Sequence, residues 1–274
     1  TTTVSFRFSE PVTGLDPSDI VLTDANGTLT TPTANTDRTL WTATFTPTAN
    51  VSVLTNTIRV NLANVSDDAG NAGTDTASSN NYSVDTTRPT ATIALADSAL
   101  TAGKTTTVSF RFSEPVTGLD PSDIVLTDAN GTLTTPTANT DRTLWTATFT
   151  PTANVSALTN TIRVNLAHVS DDAGNAGTDT ASSGNYSVDT KRPTATIALA
   201  DSRLTAGETT TVTITFSEPV TGLDASDIVC PNGTLSTPTA NTERTVWTAT
   251  FTPTANISAG ANTLRVNLSG VRDD

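Results

Sequence analysis

The side chains of this chain that could do chemistry are carboxylates gathered in loops and in two short joints. Residues 84–90 and 188–194 share the pattern Val-Asp-Thr-Thr/Lys-Arg-Pro-Thr, so each joint carries an acid, Asp85 or Asp189, four residues before a proline. A hard divalent cation takes six to eight oxygens from carboxylates, amide side chains, backbone carbonyls and water. The acids therefore predict calcium sites, shared between a joint and the acidic loops of the unit that follows it.

Three sets of candidate ligands recur along the chain. The set of the middle unit is Asp85, Glu114, Asp120, Asp123, Asp171, Asp172 and Asn175. The set of the last unit is Asp189, Glu218, Asp224, Asp227, Asp273 and Asp274. The set of the first unit is Glu10, Asp16, Asp19, Asp67, Asp68 and Asn71. The first set has no joint acid upstream, so we expect its site to be weak or absent if that acid is needed. The last set stops before any counterpart of Asn175, and we expect that site to be incomplete.

The same acids also fit simpler roles. Acid-rich loops are often solvated turns, and Asp120 and Asp123 stand beside Pro and Ser, where Asp commonly caps a turn. His168 is the only histidine, and with Cys230 as the only cysteine neither a zinc site nor a Ser-His-Asp arrangement can be built. Asp171 and Asp172 are adjacent and cannot flank a glycosidic bond. We therefore expect no catalysis.

Composition limits the partners. The chain has 27 acids against 14 bases and a net charge of −13, which disfavours nucleic acid and anionic membranes and favours cations. No apolar run approaches the roughly 20 residues that span a bilayer, so we expect no membrane insertion. A single Cys excludes a disulfide framework, and the Thr-rich, acidic, Cys-poor composition is typical of secreted bacterial surface proteins.

The chain is an array of repeated units. Trp41, Trp145 and Trp247 lie in nearly the same ten-residue words at a spacing of about 100 residues, a usual domain size. The repeats predict three domains: 1–85, which lacks a first strand; 86–189, which is complete; and 190–274, which lacks a last strand. Because both end units are partial and no Met is present, we expect the sequence to be a piece of a longer array.

The middle unit alternates apolar and polar residues in short runs, a pattern that predicts strands. The seven predicted strands lie at 91–95, 108–112, 124–126, 133–139, 145–149, 162–166 and 186–188. Seven short strands in about 100 residues predict an all-β fold of tandem Ig-like seven-stranded β-sandwiches. Trp145 is the largest predicted core side chain. In such a sandwich the start of the first strand and the loops after the second and sixth strands share one pole, so the candidate acids should converge there.

Four segments of the sequence resemble those of a known family. Phe-Ser-Glu-Pro-Val-Thr-Gly (112–118), Trp-Thr-Ala-Thr-Phe-Thr-Pro (145–151), Asp-Asp-Ala-Gly-Asn-Ala-Gly (171–177) and Val-Asp-Thr-Lys-Arg-Pro-Thr (188–194) resemble the bacterial Ig-like repeats of giant non-fimbrial adhesins and biofilm-associated surface proteins. The resemblance implies a secreted rod-like stalk, exported by a type I system, with calcium near the domain junctions and a separate terminal module for adhesion. The positions that match are Asp85, Asp189, Glu114, Glu218, Asp171, Asp172, Asp273 and Asp274.

The predicted function is that of a calcium-stiffened spacer at the bacterial cell surface, serving cell adhesion or biofilm formation. Its expected partners are the neighbouring repeats of the same chain, with host or surface glycans held through other modules. The alternative is a carbohydrate- or receptor-binding module, which an exposed Trp145 ring would favour. A third possibility is an accessory module beside a catalytic domain.

Overall fold

The computed structural model describes residues 1–273, and these form an all-β structure, as the alternating sequence predicts. The only helical elements described are three short 3₁₀ turns, Pro17–Asp19, Pro121–Asp123 and Ala225–Asp227. Within the described residues, no helix has the length and apolar character needed to cross a membrane. Asp274, one of the predicted ligands, lies outside the described residues.

The strands are short and recur in the same order in each repeat. The first repeat contains β1 Thr2–Arg7, β2 Val12–Thr13, β3 Ile20–Val21, β4 Gly27–Leu29, β5 Thr33–Ala34, β6 Leu40–Pro47, β7 Ser52–Asn56, β8 Arg59–Asn61, β9 Ser66–Asp67, β10 Thr76–Ser78 and β11 Tyr82–Asp85. The second contains β12 Ala91–Leu95, β13 Ala99–Thr101, β14 Thr106–Phe112, β15 Val116–Thr117, β16 Ile124–Val125, β17 Gly131–Leu133, β18 Thr137–Ala138, β19 Leu144–Pro151, β20 Ser156–Asn160, β21 Arg163–Asn165, β22 Ser170–Asp171, β23 Thr180–Ser182 and β24 Tyr186–Asp189. The third contains β25 Ala195–Leu199, β26 Thr210–Phe216, β27 Val220–Thr221, β28 Ile228–Val229, β29 Gly233–Leu235, β30 Thr239–Ala240, β31 Val246–Pro253, β32 Arg265–Val266 and β33 Arg272–Asp273.

The chain folds as two compact units. The first unit contains Thr1–Ser98, Thr105–Thr150 and Asn160–Asn185, and therefore the whole first repeat and much of the second. The second unit contains residues 99–104, 151–159 and 186 onward, and therefore the third repeat. The boundary between the units thus falls inside the second repeat, and not at a joint.

In the first unit, the first repeat is a sandwich with two faces built from antiparallel strands. One sheet has the order β1-β6-β4 with β5 also on β6, and the other face is built from β10-β8-β3 and β11-β7. Phe45 of β6 packs in one buried cluster with Val60 of β8 and Val84 of β11. The two faces therefore share one core, as each strand turns its alternate apolar residues inward.

The second repeat contributes three further sheets to the first unit: β12-β14-β19-β17 with β18 on β19, β16-β21-β23, and the two-stranded β15-β22. Along β14 (Thr106–Phe112) every second residue is buried and the residues between them are exposed or half-buried, which is the period that the sequence predicts. Here β12 covers the edge of β14, with Ile93 opposite Phe110. In the first repeat β1 is the edge strand of its sheet.

The second unit contains the sheet β13-β24-β20 and the sheets of the third repeat, β25-β26-β31-β29, β28-β32 and β27-β33. In the third repeat Ile214, Phe251 and Ile228 belong to one buried cluster, so strands of different sheets again share a core. The β13–β24 pairing is parallel, with Leu100 opposite Val188.

Several predicted strand bounds were wrong. The predicted strand 133–139 is two pieces, β17 and β18, which both pair with β19 and are separated around Pro136, because proline cannot donate to a ladder. Strand β13 lies between the predicted strands 91–95 and 108–112, where no strand was predicted. The predicted strand 162–166 is preceded by β20, which apolar alternation could not indicate because its burial pattern is irregular.

The prediction that Trp145 leads the core was also wrong. The ring is half-buried, and its Nε1 donates to the Arg142 carbonyl at 3.3 Å. The largest fully buried side chains are Tyr186, Phe110 and Phe149. These three rings, and not the indole of Trp145, are therefore the largest side chains of the core in the second repeat.

Candidate metal centres

Two loops of the second repeat are joined by a two-residue ladder that the sequence did not predict. Val116 of β15 pairs with Asp171 of β22, and Thr117 pairs with Ser170. Pro115 and Gly118 flank the two pairing residues and limit the length of the ladder. This ladder fixes Glu114, two residues before β15, on the same side of the molecule as Asp171.

A tight turn after β22 holds the Asp171 carboxylate. Its Oδ1 accepts a hydrogen bond from the Asn175 backbone N–H at 2.8 Å, and its Oδ2 accepts from Asn175 Nδ2 at 2.8 Å. Gly174, with a φ of +87°, donates its N–H to the Asp171 carbonyl at 3.3 Å. The side chain of Asp171 is thus fixed in orientation, and the residue is only 5% exposed.

The same turn is tied to the joint that precedes the second repeat. Asn175 Nδ2 also donates to the Asp85 carbonyl at 3.1 Å, and Arg88 Nη1 donates to the Ala176 carbonyl at 2.5 Å. Asp85 is the last residue of β11, and its carboxylate accepts from Ser52 Oγ at 3.1 Å. The sequence analysis did not assign a role to Arg88. The recurrence of an arginine at the same position of the second joint, Arg192, could have indicated one.

These contacts bring three carboxylates together. An oxygen from each of Asp85, Glu114 and Asp171 lies within 4.8 Å of the other two. Glu114 Oε1 is buried and has no hydrogen-bond partner. Burial raises the pKa of the Glu114 carboxyl above its ordinary value of 4.5, and the negative charges of Asp171 and Asp85 raise this pKa further. Glu114 Oε1 therefore lies beside two other carboxylates without a hydrogen-bond donor, and a cation at this place would balance the negative charge.

The third repeat and its joint form a second group. Oxygens of Asp189, Glu218 and Asp273 lie within 4.8 Å of one another, and all three residues are half-buried. Asp189 Oδ2 accepts from Ser156 Oγ at 3.0 Å, as Asp85 does from Ser52. Asp273 pairs with Val220 as Asp171 pairs with Val116. The two groups are therefore built from the same positions of the repeat.

The donor set fits a hard cation. All side-chain ligands offered are carboxylate oxygens, which suit Ca²⁺ or Mg²⁺ and not the softer metals that prefer sulfur or imidazole. Ca²⁺–oxygen bonds of about 2.3–2.6 Å place opposite ligand oxygens about 5 Å apart. Oxygens within 4.8 Å of one another can therefore share one calcium ion.

The structure places other predicted ligands elsewhere. Asp120 and Asp123 form a capping box on the turn Pro121–Asp123, in which Asp120 accepts from Ser122 and Asp123 accepts from the Asp120 backbone N–H at 3.0 Å. Hydrogen bonds from the Ser122 hydroxyl and backbone lower the pKa of Asp120. The same cap recurs at Asp16 with Asp19 and at Asp224 with Asp227. These acids are used locally, in the capping role that the sequence left open.

Asp172 and Asp68 also have partners of their own. Asp172 forms an ion pair with Arg142 at 2.7 Å, and Asp68 forms the equivalent pair with Arg38 at 2.7 Å. Both aspartate side chains are largely exposed, at 62% and 60%. Asp172 therefore pairs with an arginine, whereas its neighbour Asp171 belongs to the three-carboxylate group, although both were predicted as ligands.

In the first repeat, Asp67 and Asn71 form the same turn as Asp171 and Asn175. Asp67 accepts from the Asn71 backbone at 2.7 Å and from Asn71 Nδ2 at 2.8 Å, and these bonds lower the pKa of Asp67. Glu10 is exposed. Among the described residues, only the two groups at the joints bring three acids together in this way.

A match to a known family gives the class of protein. The bacterial Ig-like domain family model matches residues 1–84, 85–188 and 189–274. The chain therefore belongs to the bacterial Ig-like domain family, which confirms the predicted Ig-like sandwich and the tandem arrangement. No curated protein matches the chain.

Proposed function

We propose that each three-carboxylate group binds one calcium ion and that the ions fix consecutive repeats to each other. The chain would then act as a stiffened spacer in a large bacterial surface protein that serves adhesion or biofilm formation. The supporting observation is that Asp85, from the last strand of one repeat, lies within 4.8 Å of Glu114 and Asp171 of the next. An ion held by all three ligands connects two domains.

Electrostatics favours an ion at these places. Two unit charges 4.8 Å apart repel by about 3 kcal/mol at an effective dielectric constant of about 20. Three such pairs meet in each group, and one divalent cation replaces these repulsions by attractions. Because the unfolded chain does not hold the three acids together, calcium would bind the folded state selectively and stabilise it.

Repetition of the site favours a mechanical role for the chain. The second and third repeats use the same three positions, and the described exposed surface shows no aromatic platform of the kind that sugars use. The large apolar side chains that are exposed are all aliphatic: Val21, Leu54, Val125, Leu158, Leu199, Val229 and Ile257. Trp145 is half-buried. These observations favour the spacer over the carbohydrate- or receptor-binding alternative.

The single cysteine and the single histidine of the chain do not suggest catalysis. Cys230 is half-buried, and burial raises the pKa of its thiol, which disfavours the reactive thiolate. His168 Nδ1 lies 3.2 Å from Asp123 Oδ1, and in the first repeat Asn64 Nδ2 occupies the equivalent place, 3.0 Å from Asp19 Oδ1. The histidine therefore fills a position that a non-titratable amide also fills.

Thermal unfolding tests the proposal. Wild-type chain in millimolar calcium should melt several degrees higher than in EDTA, since saturation at about 100 times Kd adds about 2.7 kcal/mol per site. The double variant Glu114→Gln/Glu218→Gln should lose this calcium effect. Without calcium it should be at least as stable as the wild type, because two sources of repulsion are removed.

Asp172→Asn is the matched control, since it neutralises the residue next to Asp171 but leaves both groups intact. It should keep the full calcium effect. Equal melting of the wild type in calcium and EDTA would contradict the proposal, and so would an equal calcium effect in the double variant.

A further inference from the structure

The joint before the second repeat is fixed to a repeat at each of its ends. On the side of the first repeat, the Thr86 N–H donates to the Val51 carbonyl at 2.8 Å. On the side of the second repeat, the Thr90 N–H donates to Ser113 Oγ at 3.0 Å, and the Ser113 N–H donates to the Thr90 carbonyl at 3.0 Å. The short segment 87–89 therefore connects two anchored residues.

This middle segment of the joint lies against the turn that follows β22. Arg88 Nη1 donates to the Ala176 carbonyl at 2.5 Å. Pro89 and Gly177 are both buried, and a Cβ atom on Gly177 would lie 3.2 Å from the Pro89 carbonyl oxygen. The turn and the joint thus approach each other closely, and the arginine side chain joins them by a hydrogen bond.

The turn keeps its shape through its own hydrogen bonds. The Asp171 carboxylate accepts from the Asn175 N–H and Nδ2, each at 2.8 Å, and in the first repeat Asp67 accepts from Asn71 in the same way, at 2.7 and 2.8 Å. Bonds over four residues that recur in two repeats indicate that the turn sequence sets this geometry. Asn175 Nδ2 also donates to the Asp85 carbonyl at 3.1 Å, so the formed turn offers a surface to the joint.

We propose that Arg88 is a positioning residue that docks the joint onto this turn without any metal ion, and that the docked joint places the Asp85 carboxylate for calcium. The contacts of Arg88 and of Asn175 with their carbonyl partners do not use the carboxylates of Asp85 or Glu114. They are therefore made while those oxygens hold no ion. The part of this inference that concerns calcium rests on the proposed function.

A docked joint favours calcium binding because one ligand of the ion is already in place. The apparent affinity of a protein for a ligand falls in proportion to the fraction of molecules in the binding-competent state. A hydrogen bond from a charged donor also stabilises more than one between neutral groups. Among the contacts between joint and turn, the bond from Arg88 is therefore the one whose loss should undock the joint most.

Calcium titration by calorimetry tests this role in a Glu218→Gln background, which removes an acid of the other group. Arg88→Ala should raise the Kd about fivefold, as expected if the joint stays docked in about one fifth of the molecules. Arg88→Lys keeps the charge and a donor and should restore most of the affinity. Arg192→Ala is the matched control, since it removes the same charge from the other joint and should leave this Kd unchanged.

Hydrogen exchange in EDTA tests the docking separately from calcium binding. The amides of residues 87 and 88 should exchange several-fold faster in Arg88→Ala than in the wild type, and at the wild-type rate in Arg192→Ala. Equal exchange in Arg88→Ala and the wild type, or an equal calcium Kd, would overturn the role of Arg88. If the wild type binds no calcium, the proposed function fails, and exchange in EDTA alone then decides whether Arg88 docks the joint.

Discussion

Acidic residues from the loops of one repeat have three different environments in this chain. Glu114 has a buried oxygen without a partner beside two further carboxylates, Asp172 pairs with Arg142, and Asp120 caps a 3₁₀ turn. Sequence reasoning placed them all near one pole but could not separate them. The cap is local and carries a sequence signature, whereas the Arg142 partner lies thirty residues away in the chain.

The protonation of Glu114 gives a prediction for pH. Its pKa is raised above 4.5 by burial and by Asp171 and Asp85, so the folded metal-free protein binds this proton more tightly than the unfolded chain. The stability that the proton provides is present at low pH and is lost as pH rises from 4.5 through the raised value. Calcium requires the ionised carboxylate, so its stabilising effect should grow over the same range.

Melting temperatures measured with calcium and with EDTA from about pH 4.5 to 7 check this. The difference between the two curves should widen with rising pH in the wild type and stay flat in the Glu114→Gln/Glu218→Gln variant. A calcium effect that is largest at the acid end would contradict the assignment of these carboxylates as ligands.

Short elements, not long strands, position the candidate site. The ladder between β15 and β22 has two residue pairs, and the turn from Asp171 to Asn175 adds the contacts to the joint. At Gly118 the loop after β15 passes so close to its neighbour that a Cβ atom would lie 2.4 Å from the His168 carbonyl oxygen. The approach of the two loops therefore depends on this glycine.

Two glycine substitutions test how the loops are held together. Gly118 and Gly174 both have positive φ, at +91° and +87°, but a Cβ on Gly174 meets nothing within 4 Å. Gly174→Ala should lower the free energy of unfolding by about 1 kcal/mol, the cost of backbone strain alone. Gly118→Ala should cost more than about 2 kcal/mol, because backbone must also shift.

Chemical denaturation of both variants measures these costs. In addition, Gly118→Ala should weaken the calcium effect on melting, since it displaces the loop that carries Glu114 relative to Asp171. Equal stability of the two alanine variants would show that the close approach is not needed.

The elements also show what the sequence could predict. Alternation identified β12, β14 and β19 because one face of each is buried and the other is exposed. It missed β13, which depends on parallel pairing with the distant β24, and β15, which depends on β22. Loop sorting in an Ig-like fold predicted the meeting of Asp85, Glu114 and Asp171. The hydrogen bonds from Asn175 to the Asp85 carbonyl and from Arg88 to the Ala176 carbonyl depend on side-chain geometry that residue spacing does not reveal.

At the scale of the whole molecule, the chain is a series of copies of one domain. The family matches cover three consecutive stretches, and the second and third use the same joint acid and the same two loop acids. A site built from a joint and the following domain is repeated wherever the joint is repeated. This arrangement explains why the candidate ligands recur with the repeats.

A crystal of the chain grown with millimolar calcium, with anomalous scattering measured, tests the central claim most directly. We expect one anomalous peak among Asp85, Glu114 and Asp171 and another among Asp189, Glu218 and Asp273, each about 2.3–2.6 Å from the carboxylate oxygens. No peak is expected at Glu10 and Asp67. The account would be contradicted if both groups held only water at saturating calcium. It would also be contradicted if Asp85 and Asp189 did not coordinate the ions that give the peaks.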